Sequence, residues 1–160
     1  MDDENTYELI GRATVAWSDV ELTWYLIYLT LSSAPRDQAD AIYFIPNNSA
    51  TERKVTYSLA EVVLAANPTL LSELGNLLCR TNSAIRDRNA IAHGKFIFAR
   101  DKDNKSVDLW SVGKNKLIGK PLGSELTRME TDFLSLADDL STFMFRACIA
   151  LGREPPSIEK

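Results

Sequence analysis

The chain has 160 residues, of which 45% are hydrophobic, and a formal net charge of -4. This size and apolar content predict a single globular domain, residues 1–160, with enough material for a core. The acidic balance argues against a general nucleic-acid binder whose affinity comes from a basic surface, but it is compatible with a small local cationic site.

The first predicted helix covers roughly residues 6–32, judged from its periodicity. Apolar residues recur on one side at spacings of three and four, at Leu9, Ala13, Ala16, Val20, Trp24, Ile27 and Leu31. A second face carries Ile10, Thr14, Glu21, Tyr25 and Tyr28. A helix with two such faces needs two partners, so we expect one face in the core of the domain and the other against a second subunit.

Three more helices are predicted in the middle of the chain. The first, over residues 36–45, follows a proline, which is tolerated in a first helical turn. Ser49 and Glu52 have the spacing of a capping box, so Ser49 should be the N-cap of a helix that ends near residue 67. Its apolar side should comprise Val55, Leu59, Val62, Val63 and Ala66. A longer helix should then run over residues 69–93.

Beyond the long helix the pattern changes from helix to strand. Residues 95–100 and 106–112 are β-type runs on either side of a polar turn at 101–105, which predicts a β-hairpin. A last helix should begin at Ser124, a good N-cap residue, and end at Gly152. The predicted fold class is therefore mainly all-α, a helical bundle with a β-hairpin inserted before the C-terminal helix.

The two cysteines and the N-terminal residues bear on the type of protein. Cys79 and Cys148 lie in apolar helical patterns without close spacing, so we expect buried thiols rather than a zinc site or a disulfide framework. Residues 1–4 do not resemble the start of a secretion signal, and the apolar run 22–31 is too short for a membrane span. We therefore expect a cytoplasmic protein with no membrane contact.

His93 is the only histidine, and it lies at the end of the predicted long helix, in the run of residues 85–94. Histidine exchanges protons near neutral pH, and arginine has a donor fork that matches phosphate. An acid or base beside a phosphate-binding cation is the minimum for metal-free RNA cleavage. Asn89 and His93, four residues apart, share a helix face. Arg88 lies about 7.5 Å from His93 along the helix axis and about 140° from it around the axis. Its side chain must therefore reach round the helix to approach His93, or approach the His93 of a second chain.

A purely structural interpretation of the same segment stays open. A histidine in the last turn of a helix interacts favourably with the helix dipole and needs no catalytic role there. Arg86 and Arg88 are then either solvated or paired with Asp87, because clusters of ionisable groups are often only structural.

Glu21 is the other charged residue to single out, because it shares a helix face with Tyr25 and Tyr28. A carboxylate among aromatic side chains needs a partner, since burying the charge alone is costly. We expect Arg86 or Arg88, from the same or a second chain, to be this partner. Alternatively, Glu21 is exposed or accepts a hydrogen bond from a tyrosine hydroxyl.

The segment Arg88-Asn89 followed by His93-Gly94 resembles the signature of HEPN domains, an arginine with a polar residue directly after it and a histidine a few residues later. Residues 16–22 resemble the first helix of small bacterial HEPN-like proteins, and the other predicted helices fit the helical bundle of that family. The resemblance covers most of the chain loosely, and its specific part is the run from Arg88 to His93.

This resemblance implies a homodimer that acts as an endoribonuclease without a metal or other cofactor. Such proteins occur in toxin–antitoxin pairs, in phage defence and in RNA processing. The active-site positions of the family fall on Arg88, Asn89 and His93. One toxin branch has a tyrosine two residues after the histidine that a partner nucleotidyltransferase modifies, but here that position is Lys95. The alternative is a non-catalytic HEPN-like dimer that binds a nucleotide, RNA or a partner protein such as an antitoxin.

Overall fold

A computed structural model describes residues 3–100, 106–112, 116–117, 120 and 122–157, with only the backbone of residues 3–5, 95–100 and 106–112. Within these ranges there are five helices, α1 (Asp3–Ser32), α2 (Arg36–Tyr43), α3 (Ser49–Val63), α4 (Pro68–Ala92) and α5 (Leu122–Leu151). The predicted predominance of helix is confirmed. None of the helices in the described ranges is long and apolar enough to cross a membrane.

Two short strands, β1 (Lys95–Arg100) and β2 (Ser106–Val112), lie between α4 and α5. They pair antiparallel, with Lys95 opposite Val112. The predicted turn at 101–105 lies outside the described residues. This ribbon therefore begins three residues after the last residue of α4, next to the segment that contains the histidine.

The start of α3 corrects one sequence prediction. Asn48, not Ser49, is the N-cap, because its backbone is extended and its side chain accepts hydrogen bonds from the N–H groups of Ala50 and Thr51 at 2.9 and 3.2 Å. Glu52 still reaches back, but to the backbone N–H of Asn48. Both residues are good N-caps, and the sequence pattern alone favoured the wrong one.

The buried side of α3 also differs from the prediction. Arg53, Thr56 and Ala60 are buried, whereas Val62 is 75% exposed. The prediction used apolar residues alone, and it therefore placed Arg53, which is buried, on the solvent-facing side of α3. The prediction of two buried cysteines is correct for Cys148 and wrong for Cys79, which is exposed.

The chain forms two compact units, Met1–Asp19 with Ser83–Ser135 and Val20–Asn82 with Leu136–Lys160. In the first unit Trp17 packs edge-on against Phe133, with ring centroids 5.2 Å apart. The other deeply buried side chains there include Leu117, Leu122, Leu126 and Met129. Ala90 and Ile91 are the buried side of the last turn of α4.

In the second unit, α2 covers part of the second face of α1. Tyr25 and Tyr28 are buried and form one cluster with Ala39 and Tyr43 of α2. The ring of Tyr43 lies 5.1 Å from that of Tyr25 and 5.0 Å from that of Tyr28. The expectation that this face is left for a second subunit is therefore wrong at these two tyrosines.

The end of α5 agrees with the sequence. Gly152 adopts a left-handed φ of 61°. Its N–H donates to Ile149 O at 3.2 Å, and the N–H of Arg153 donates to Cys148 O at 2.9 Å. These two bonds form a Schellman motif, which favours glycine because a Cβ strains this conformation.

Candidate functional site

The candidate site lies at the carboxyl end of α4, in the first unit. The helix ends at Ala92, but its hydrogen-bond pattern continues for one residue, because His93 N–H donates to Asn89 O at 3.0 Å. Asn89 and His93 are both exposed. Since they are one helical turn apart, their side chains leave the helix on the same solvent-facing side.

The side chain of Arg88 reaches round the helix to Asn89. Arg88 is half-buried, and its Nη1 donates to Asn89 Oδ1 at 3.2 Å. This contact compensates for the different direction in which Arg88 leaves the helix. A guanidinium and a carboxamide are thus joined directly, and the carboxamide shares its face with the imidazole of His93.

Asp87 points away from this group, into the first unit. It is 7% exposed, and its two oxygens face two cations from other segments. Lys116 forms a hydrogen-bonded ion pair with Oδ1, and Arg128 Nη2 lies 3.5 Å from Oδ2. The alternative in which Asp87 pairs with Arg86 or Arg88 is therefore wrong.

Arg128 extends this contact into a charge network on the first turns of α5. It bonds Glu125 Oε2 at 3.0 Å and Asp132 Oδ2 at 2.6 Å, and Lys120 lies 3.8 Å from Glu125. Burial lowers the pKa of Arg128, but its hydrogen bond to Glu125 and the charges of Asp87, Glu125 and Asp132 outweigh this, so the pKa is raised overall. The carboxylates of this network are matched by cations within it.

Arg86 is exposed, and neither it nor Arg88 has an ion pair with any described residue. Other arginines differ, because carboxylates pair with Arg12, Arg36, Arg80, Arg128 and Arg146. Two guanidinium groups without a carboxylate partner in the described ranges therefore lie within seven residues of the histidine. Phosphate is a natural ligand for such groups because an arginine fork donates two hydrogen bonds to it.

Glu21 is half-buried in the second unit, where the sequence did not predict its charged neighbour. That neighbour is Arg53, which is 3% exposed. Burial lowers the pKa of Arg53, and the charge of Glu21 acts in the opposite direction. The pairing of Glu21 with Arg86 or Arg88 stays a prediction. The sequence signal for the burial of Arg53 was its spacing, because it precedes Thr56 by one helical turn and Ala60 by two.

A second set of matched charges surrounds Tyr25. The Tyr25 hydroxyl donates to Asp40, which also accepts from Arg36 Nε at 3.1 Å. The Arg36 guanidinium lies 5.2 Å from the centroid of the Tyr25 ring. Burial, followed by the hydrogen bond to Asp40, raises the pKa of Tyr25 to about 12.

Comparison with known protein families, with curated proteins and with solved structures finds no match to this chain. The HEPN resemblance therefore depends on the run from Arg88 to His93 and on the helical pattern. In the described ranges, no group of three or more histidine, cysteine, aspartate or glutamate side chains is placed to hold a metal ion.

Proposed function

We propose that this chain is a HEPN-like endoribonuclease that cleaves RNA without a metal, with Arg88, Asn89 and His93 as its active site. The observation that carries the proposal is the arrangement at the end of α4. An exposed histidine shares a face with a carboxamide that accepts from Arg88, while the adjacent Asp87 is turned inward and paired elsewhere. The cations beside the histidine are therefore available to a phosphate.

The proposed reaction is attack of a ribose 2′-hydroxyl on the adjacent phosphorus. The bond from phosphorus to the 5′ oxygen breaks, which leaves a 2′,3′-cyclic phosphate and a 5′-hydroxyl. His93 takes the proton of the 2′-hydroxyl or gives one to the leaving oxygen, a role that contributes about 10²–10⁴-fold. Arg88 holds the phosphate and stabilises the charge that builds on its oxygens. Asn89 orients the Arg88 guanidinium.

A two-fold homodimer is part of the proposal. One chain supplies a single imidazole, whereas the reaction uses both a base and an acid. Two copies joined near the carboxyl ends of α4 bring two imidazoles and two Arg88 side chains to one cleft. In this dimer Glu21 of one copy pairs with Arg88 of the other, one of its two predicted partners, and Arg86 stays unpaired. Light scattering at micromolar concentration tests the dimer, and a monomer contradicts it.

The alternative is a HEPN-like module, with no catalysis, that binds a nucleotide, RNA or a partner protein such as an antitoxin. One observation favours a protein partner. Ile42, Phe44 and Ile45 are 52, 55 and 76% exposed at the end of α2 and in the turn after it. Large apolar side chains grouped on a surface are typical of interaction sites.

The test is incubation of the purified chain with mixed RNA in EDTA. We expect cleavage that resists the chelator and yields cyclic-phosphate and 5′-hydroxyl ends. His93→Ala, purified in the same way, should lose about 10²–10⁴-fold in rate, and circular dichroism should be unchanged because the side chain is exposed. Intact RNA that is nevertheless bound favours the alternative. Equal cleavage by wild type and His93→Ala contradicts the enzyme.

A further inference from the structure

We propose that Arg86 binds a second phosphate of the RNA, next to the one that is cleaved, so that the site favours substrates longer than a dinucleotide. This inference rests on the proposed function and assigns a role to a residue outside the motif. It follows from the helical phase of Arg86, from the inward position of Asp87 and from the direction of side chains on a helix.

Arg86 shares the helix face of the histidine more closely than Arg88 does. Because α4 is helical to Ala92 and its hydrogen-bond pattern includes His93, the helical phase holds over this segment. Seven residues make about two turns, so Arg86 and His93 differ by only about 20° around the axis. Asn89 lies between them along the axis, about 40° from His93 and about 60° from Arg86 around it. Arg88 differs from His93 by about 140°.

The burial pattern agrees with this phase. Arg86, Asn89 and His93 are all exposed. Asp87, Ala90 and Ile91 form the buried side of the same turns. The exposed side of the end of α4 and of the residue that follows it therefore carries, in order along the axis, a guanidinium, a carboxamide and an imidazole.

The guanidinium of Arg86 is also available to a ligand. No described residue forms an ion pair or side-chain hydrogen bond with it, and the carboxylate next to it in sequence faces Lys116 and Arg128. An exposed arginine with an unused donor fork binds a phosphate oxygen through charge-assisted hydrogen bonds. A phosphate that binds Arg86 displaces no intramolecular ion pair among the described residues.

The distance between the two groups assigns Arg86 to a neighbouring phosphate rather than to the scissile one. Arg86 and His93 are about 10.5 Å apart along the axis. Side chains on a helix lean toward its N-terminus, so Arg86 extends away from His93. In the proposed reaction the scissile phosphate lies at the imidazole of His93 and binds Arg88, whose guanidinium donates to Asn89. Arg86 therefore contacts the strand further along its backbone.

The experiment compares Arg86→Ala with wild type on two substrates, a dinucleoside monophosphate, which has only the scissile phosphate, and a pentanucleotide. With the pentanucleotide we expect KM to rise about tenfold with kcat little changed, and the slope of log KM against log salt to fall by about 0.7, as for one lost phosphate contact on a single strand. With the dinucleotide the change should be less than about twofold. Arg86→Lys should recover part of the loss, because it keeps the charge.

Arg80→Ala is the matched control. Arg80 is on the same helix with a half-exposed side chain, but it bonds Asp139 at 2.7 Å, so its removal should leave both substrates unaffected. An equal loss on both substrates, or no loss on either, overturns the role of Arg86.

A pentanucleotide with a 2′-deoxy group at every position separates this inference from the proposed function, because it binds but is not cleaved. Weaker binding of this probe by Arg86→Ala supports the second contact even if wild type cleaves no RNA. Equal binding by both proteins, or no binding by wild type, overturns the inference whatever the outcome for cleavage.

Discussion

Two stretches of α4 differ in how their charges are matched. Arg80 bonds Asp139 at 2.7 Å. Two turns later, Arg86 and Arg88 have no carboxylate partner in the part of the chain that the structure describes, and the carboxylate between them, Asp87, is buried. Because exposed ion pairs contribute little to stability, the difference has little consequence for folding. In the proposed function the consequence is for binding, since Arg86 and Arg88 are the cations of α4 that are available to a phosphate.

Substitution of Arg88 and substitution of Arg80 should differ most in their effect on the cleavage rate. Arg88→Ala should lower the cleavage rate by about 10²–10³-fold, because in the proposed reaction Arg88 stabilises the charge on the phosphate. Arg80→Ala should cleave at the wild-type rate. The measurement is kcat on a defined RNA, with circular dichroism as a control for folding. A rate for Arg88→Ala within about tenfold of wild type would show that matched and unmatched arginines do not differ in function.

The second effect is on stability and concerns the buried carboxylate. Arg128→Ala should cost about 1–2 kcal/mol, because Asp87 keeps Lys116 as a partner. Lys116→Ala with Arg128→Ala leaves a buried carboxylate without either cation, at a cost of about 3 kcal/mol. Adding Asp87→Asn should restore part of this loss, since an amide needs no counter-ion. Urea unfolding measures all three. A double variant as stable as wild type would mean that Asp87 is not fixed by these cations.

The helices were predictable because their apolar repeats are long. The helices α1, α4 and α5 begin and end within three residues of the predicted positions, since many core positions on each helix agree in phase. The same signal located Asn89 and His93 on one face, because a four-residue spacing on a helix leaves no other arrangement.

The charged residues were not predictable in the same way. Asp87 faces inward because Lys116 and Arg128, at sequence separations of 29 and 41 residues, meet it there. Arg53 is buried in the second unit near the charge of Glu21. Periodicity counts any charged residue as solvent-facing, so it misses charges that are compensated by distant segments.

The smallest effect concerns the matched charges around Tyr25, where we expect a consequence for stability and none for cleavage. Tyr25→Phe removes the hydroxyl that donates to Asp40 and should cost about 1 kcal/mol at pH 7. Asp40 keeps its bond from Arg36, which limits the loss. The measurement is urea unfolding, with cleavage assayed in parallel. Lower cleavage by a correctly folded Tyr25→Phe would contradict the division between matched charges that stabilise and unmatched charges that bind.

The pH dependence of the same variant gives a second readout. Burial and the bond to Asp40 raise the pKa of Tyr25 from 10.0 to about 12, so the fold favours the neutral phenol. This contribution to stability is fully present below pH 10 and is lost as the pH rises toward 12. Tyr25→Phe should therefore lose less stability than wild type between pH 9 and 11, although Tyr28 and Tyr43, whose pKa values burial also raises, keep part of the decline. Equal slopes for the two proteins over this range would show that the Tyr25 phenol titrates alike in the folded and unfolded chain.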